Sequence, residues 1–432
     1  MDVPDRSDVD HLIDPQPLPS FARVRYEPPV ETVAEPADAA REELDALALD
    51  GLSEGATVAV GVGSRGIHAI DDVTRAVVGE LAERGFDPVV VPAMGSHGGA
   101  TPEGQREVLE ALGITESELD AAIDARMDTE RVATVTVGET EMPVHLSVAA
   151  LEADAVLVVN RVKAHTNFTG PVESGLTKMA VVGLGKQRGA KSFHSTAIAE
   201  GYLETLKPAL SAIEDAAPLV GGIALVENFH EEIARVEAVP AGSFIEREPA
   251  LLERAYEEMP TLPIDDVDLL VVDELGKEIS GAGMDTNVIG RYRVLNAPDP
   301  ETPSIDIIYA RGLTEATKGN GIGIGLADLT RKAALDQLDL RKTYANTFTS
   351  GSLAKGQLPV VAPDDEFALR AALSALGGYD PETVRVLWIQ NTQDLGELHV
   401  SEAVLPDLPD AAEVVEDATL SFTDGTAAFT EE

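Results

Sequence analysis

From Ala56 onward, apolar and polar positions follow two rhythms. The run "TVAVGVGS", starting at Thr57, is almost continuously apolar and ends in turn residues, which predicts a buried strand. "DDVTRAVVGELAERG" spaces its apolar residues three and four apart, opens on acids and closes on Gly85, which predicts an amphipathic helix. The pair then recurs. "DPVVVPAMGSHGG" reads as a strand with its C-terminal loop, and "TPEGQREVLEALG" as a helix with Thr101 as N-cap and Pro102 at its first position. "ADAVLVVNRVK" reads as a further strand. Strand, helix and strand at this spacing predict a parallel sheet with helices on its faces. Ligands of such sheets sit at the C-terminal ends of the strands. Three loops are expected there: Gly63 to Arg65, Gly95 to Gly99, and the chain from Lys163 onward.

The first fifty residues are polar and proline-rich up to about Pro36, then helical. The strand pattern restarts at "PIDDVDLLVVDELGKEISGAGMDTNVIGRYR" and continues through "IDIIYARG", "GIGIGLADLTRKAALDQ", "LPVVAP" and "VRVLWIQN". The expected fold is therefore α/β: two Rossmann-like domains with mainly parallel sheets and an active-site cleft between them. Residues 1–262 form the expected N-terminal domain and 263–396 the C-terminal one. Residues 397–432 form an acidic tail expected to pack back on the N-terminal domain.

Composition narrows the function classes. At 432 residues the chain exceeds one ordinary domain. Its 76 acidic against 32 basic residues give a net charge of −44, spread along the whole length. Such a surface repels nucleic acid and acidic membranes. It fits a salt-adapted proteome, in which screening removes most of the self-repulsion. Cysteine is absent, which excludes disulfides, zinc ribbons and thiolate nucleophiles. A metal would have to use histidine, carboxylate, or sulfur brought by a cofactor. The N-terminus lacks a basic and then apolar leader, and no run of about 18 apolar residues occurs. A cytoplasmic location is expected.

Candidate chemistry concentrates at the expected strand ends. Gly61, Gly63 and Gly66 spell the dinucleotide fingerprint, but the next strand ends "VVVPAMGSH", without the acid that would bind ribose. Arg65, inside that turn, suits an anion or a carboxylate. His97 follows one strand and His165 another, and imidazole is the natural proton shuttle at such positions. Lys178 stands in the apolar setting "GLTKMAVVG", where an amine can be used covalently. His194, near the start of an apparent helix "STAIAEGYLETL", could ligate a metal. "GLGKQRGAK" lacks the P-loop spacing, yet its amides with Lys186 or Arg188 could contact a phosphate. His11, His68, His145, His230 and His399 lack supporting context and read as structural.

The order Ser64-Arg65, Gly95-Ser96-His97, "HTNFTGPVESGLTK" and His194 resembles the nickel-dependent lactate racemase family. The resemblance covers roughly Ala56 to Ser195 and continues more thinly to "GAGMDTNVIGRYR". With this acidic balance, the expected member is haloarchaeal. The resemblance implies a nickel-pincer nucleotide tethered through Lys178, with His194 as the protein's nickel ligand and the soft sulfur ligands supplied by the cofactor. It also implies Gly175 and Lys186 in the cofactor cradle, His97 and His165 as acid and base, and Arg65 on the substrate carboxylate. The sequence departs from the family at Val62, Gly290 and Arg293. Arg291 and Arg293 suggest a larger or more acidic substrate, with Arg293 binding it.

The function expected from the resemblance is racemisation or epimerisation of a 2-hydroxy acid through a 2-keto acid intermediate. The alternatives are an NAD-dependent 2-hydroxy acid oxidoreductase, or a non-catalytic binding protein that kept the fold. The expected partners are the small-molecule acid and the cofactor maturation enzymes, with no nucleic acid and no membrane. A homo-oligomer stays open.

Overall fold

The computed structural model describes residues 3–64, 66–294 and 298–431. The chain divides into two compact units. One holds residues 30–165 and 169–259; the other holds the residues up to 29, 166–168, and those from 260 onward. The first strand of the chain, β1 (Phe21–Tyr26), thus belongs to the second of these units, whereas chain order alone had put it in the N-terminal domain.

The N-terminal unit is built on β2 (Thr57–Val62), β3 (Asp87–Pro92), β4 (Ala122–Ile123), β7 (Ala155–Arg161), β8 (Leu219–Glu227) and β9 (Ile233–Pro240). Between them in sequence lies a separate antiparallel hairpin, β5 (Thr129–Val137) with β6 (Thr140–Ser147). The sheet order is β4-β3-β2-β7-β8-β9, parallel except for β9. Alternation along each strand sends side chains to two cores. Val58, Val60 and Val62 join Leu157 and Val159 in a core with the helices Pro36–Glu43, Ile70–Glu83 and Pro102–Ala111. Ala59, Val156 and Val158 join the opposite core, with the helices Lys186–Glu200, Tyr202–Ala216 and Phe244–Glu258. Thr101 caps its helix as the sequence predicts, its side chain accepting from Gly104 N at 3.0 Å.

The C-terminal unit carries β10 (Asp266–Val272), β11 (Ser304–Ala310), β12 (Leu329–Arg331), β13 (Val360–Ala362) and β14 (Val386–Ile389), then β15 (Glu397–Ser401), β16 (Ala412–Thr423) and β17 (Thr426–Glu431). Among the described residues the order is β13-β12-β11-β10-β14-β15-β1-β16-β17, with a parallel half followed by an antiparallel half. The acidic tail, expected on the N-terminal domain, instead forms strands of this sheet. Its β15 and β16 flank β1, with Phe21 opposite Ser401 on one side and Ala418 on the other. The reason is burial: Phe21, Ala418 and Ala427 share one core with Leu269, Val271 and Trp388. Asp365 is the polar hub of this unit. Fully buried, it accepts from Tyr309 Oη at 2.5 Å, from Arg311 and Arg331 at 2.8 and 2.7 Å, and from Ala427 N at 2.9 Å.

Candidate active site

Strands β3, β2 and β7 are neighbours in the N-terminal sheet, and each ends at a residue picked out from sequence. After β2 comes Ser64; Arg65 lies outside the described residues. After β3 comes His97, whose Nδ1 pairs with Ser64 Oγ. After β7 comes His165, buried to 8% exposure. Parallel strand order therefore delivers the two histidine loops and the serine loop to one sheet edge.

The His97 loop is a tight turn. His97 N donates to Met94 O at 3.1 Å, and Gly98 follows at φ 63°. A Cβ on Gly98 would stand 2.4 Å from the Gly104 carbonyl carbon, so both the conformation and the space require glycine.

The His165 loop is closed at its base, where Lys163 N donates to Ser174 O at 2.9 Å. Inside it stands Glu173, buried to 1%. Its Oε2 accepts the His165 N–H at 2.5 Å, and its Oε1 accepts from Gly170 N at 2.9 Å and Tyr256 Oη at 3.0 Å. Burial pushes this carboxyl up, against those hydrogen bonds and the Lys178 ammonium. The His165 ring lies tilted against Tyr202, 5.8 Å between centroids. Sequence reading missed Glu173; the available signal was one acid in a glycine-rich stretch, five residues before Lys178.

Lys178 and His194 sit on helical backbone. The helix Leu176–Lys178 runs into a π-turn, Met179–Gly183, and then into the helix Lys186–Glu200, whose interior holds His194. The sequence expectation had set His194 at a helix start. Lys178 Nζ lies 3.5 Å from Ser174 Oγ. Its positive charge reaches His194: burial first, then the Lys178 ammonium, hold that imidazole down to about 4. By surface area His194 is exposed. A neutral imidazole offers a lone pair to a metal near pH 7.

Glu248, also missed from sequence, anchors the start of this helical segment. Buried to 1%, it accepts Thr177 N at 3.1 Å, and burial pushes its carboxyl up to about 7. Gly175 is the residue that admits it, since a Cβ there would stand 2.2 Å from Glu248 Oε1. The glycine expected in a cofactor cradle thus has a packing role of its own.

Three expectations are corrected. Lys186, expected at a phosphate, is fully buried, and its Nζ donates to Pro92 O at 2.7 Å and Gln105 Oε1 at 3.0 Å. Arg293, expected on the substrate, donates to Gly325 O at 2.8 Å and Asp328 Oδ1 at 3.2 Å. Arg291 is held by Asp328 and the carbonyls of Leu326, Ile305 and Asp306, which leaves the argument for a larger acid without its arginines. The glycine fingerprint also has another explanation. A Cβ on Gly61 would meet Val158 Cγ1 at 3.0 Å, and one on Gly63 would meet Met179 Cε at 2.8 Å. These two glycines are required by close packing against the protein's own side chains.

Among the described residues, no group of three or more His, Cys, Asp or Glu side chains is placed to hold a metal ion. None of the described helices is long and apolar enough to cross a membrane.

No curated protein matches the chain. Among solved structures, it is similar to a crystal structure of a protein from Thermotoga maritima, with a TM-score of 0.52 and 15% identity over 85% of this chain and 99% of that one. It is also similar to the lactate racemase apoprotein from Thermoanaerobacterium thermosaccharolyticum, with a TM-score of 0.43 and 13% identity over 87% of this chain and 89% of that one. At such identities the Thermotoga likeness shows the fold alone, a mixed α/β architecture with large, mainly parallel sheets. A domain family of unknown function, DUF362, matches residues 63–274, just under half of the chain, and that span contains His97, His165, Lys178 and His194.

Proposed function

We propose that this protein is an isomerase that racemises or epimerises a 2-hydroxy acid at its hydroxyl-bearing carbon. The observation that carries the reading is the convergence of the His97, Ser64 and His165 loops at the C-terminal ends of three adjacent parallel strands, with the Lys178 and His194 pair on the helical segment that follows. Two imidazoles at one sheet edge supply the general acid and general base that proton transfer at a hydroxyl needs.

A nickel-pincer nucleotide fits the donor set. Lys178 would tether it, and His194, neutral near pH 7 and reachable from solvent, would give the metal its protein ligand. When bound, the group would accept and return the α-hydrogen of the substrate. The chain's own residues do the rest. His97 and His165 exchange the hydroxyl proton, one for each hand of the substrate. Ser64 pairs with Nδ1 of His97 and so fixes the orientation of its ring. Glu173 holds the backbone of His165. Arg65 would bind the carboxylate as a charge-assisted pair.

The test is co-expression with the cofactor's biosynthetic enzymes, then intact mass, nickel analysis and chiral assay of lactate and malate. The expected result is a mass addition on Lys178, bound nickel and interconversion of enantiomers, all lost in K178A. Absence of adduct and nickel, where a lactate racemase prepared in parallel carries both, would overturn the reading.

A further inference from the structure

Lys186 has no place in that chemistry, yet two costs converge on it. Its ammonium is fully buried, where desolvation penalises a cation. Its φ is 52°, in the left-handed region that side chains rarely adopt. Glycines at 183 and 185 stand beside it, so this backbone readily takes residues without a side chain. A lysine held at a buried, left-handed position points to a task for its charge.

The hydrogen bonds show where that charge acts. Nζ donates to Pro92 O, at the end of β3, and to Gln105 Oε1. With Oε1 facing the cation, the orientation of the Gln105 amide is settled. Its Nε2 donates to Gly95 O at 3.0 Å and to His97 O at 3.4 Å. Gln105 is itself fully buried, so water does not compete for these bonds. The same loop is tied on its other side, where Gly95 N donates to Gly183 O at 3.1 Å.

We propose that Lys186, acting through the Gln105 amide, is the positioning residue that fixes the His97 loop against the helix bearing His194. The importance of that position rests on the reading of His97 as an acid–base group. Lys186 and His194 belong to one helix, eight residues or about 12 Å apart along its axis. A brace at the first residue of a rigid helix therefore sets the His97 loop at a constant distance from His194, two turns further along. Burial pulls the Lys186 amine down to about 8, with Asp124 opposing, so the brace is charged at neutral pH.

The experiment uses the full chain labelled with 13C,15N-histidine, with the His97 signals assigned by their loss in H97Q. In K186M and in Q105L, the His97 titration midpoint should move by about 0.5 unit or more, a threefold change in its protonation equilibrium, while His230 and His399 stay in place. K186M/Q105L removes the ammonium and the amide together, so neither faces the other unpaired, although the Pro92 and Gly95 carbonyls lose these donors. Its loss of stability should be smaller than the sum of the two single variants, while His97 stays displaced. Unchanged His97 signals in both folded single variants would overturn the proposal. So would a double variant that restores His97 together with stability, which is the behaviour of plain packing. Q105L decides the matter if K186M fails to fold. In cofactor-loaded protein with L-lactate as probe, K186M should lower kcat about tenfold or more, with KM changed less than about threefold. A wild type inactive on lactate but active on malate moves that assay to malate. A wild type inactive on both counts against the proposed reaction, and the NMR result still decides the role of Lys186.

Discussion

Glu173 accepts the backbone N–H of His165 at 2.5 Å from a position almost wholly removed from solvent. A carboxylate that also accepts from Gly170 N and Tyr256 Oη acts as the internal post around which the His165 loop is wound. Its hydrogen bonds favour the charged form while burial disfavours it, so replacement of either oxygen has a defined cost.

Glu173→Gln keeps one acceptor oxygen and puts an amide donor where the other accepted. The variant should lose about 1–3 kcal/mol of stability in urea denaturation. Amide exchange at His165 and Gly170 should accelerate more than exchange in β2 or β3. Equal acceleration everywhere would show that Glu173 supports the fold in general and not this loop.

Glu248 predicts a pH dependence. Its folded pKa, about 7, lies above the ordinary glutamate value of 4.5, so between these values the folded state binds more protons than the unfolded one. Stability must then fall as pH rises from about 4.5 to about 7, and the penalty is fully present above that. The contribution is on the order of 3 kcal/mol. Glu248→Gln should remove this slope and match or exceed wild-type stability at pH 8. A wild-type profile flat across the window, or a slope that persists in the variant, contradicts the assignment.

Asp365 is held by Arg311, Arg331 and Tyr309 with no exposure of its own. Asp365→Ala takes the carboxylate from Arg331 and leaves Arg311 with Asp273, and should destabilise the C-terminal unit by about 3 kcal/mol. Calorimetry of the variant should show the C-terminal unit melting early. A loss below about 1 kcal/mol would mean that the arginines find other partners.

The net charge of −44 predicts salt-dependent stability. Each kcal/mol gained moves the melting temperature of a domain this size by about 2–4 °C. Relief of a few kcal/mol of self-repulsion between 0.1 and 3 M KCl should raise it by about 10 °C. A melting temperature unchanged across that range would show that the acidic surface costs the fold little.

Local patterning was enough for much of this protein. Val58, Val60 and Val62 announce a buried strand through side-chain chemistry alone, and Thr101-Pro102 announce a helix start through a cap and a missing N–H. The placement of His97 and His165 after strands followed from the same local signals. Tertiary structure alone decided what joins residues far apart in the chain. Phe21 pairs with Ser401 and Ala418 because β1 completes a sheet whose other strands lie hundreds of residues on, and no local period encodes that. Glu248 reaches the backbone of Thr177, and Lys186 reaches Gln105, through buried hydrogen bonds formed only when separate helices pack. Arg293 reads as an available cation in sequence and is engaged by Asp328 in space. A side chain's type sets which bonds it can make; packing sets which of them it does make, because burial obliges each polar group to take the partner the fold brings within reach.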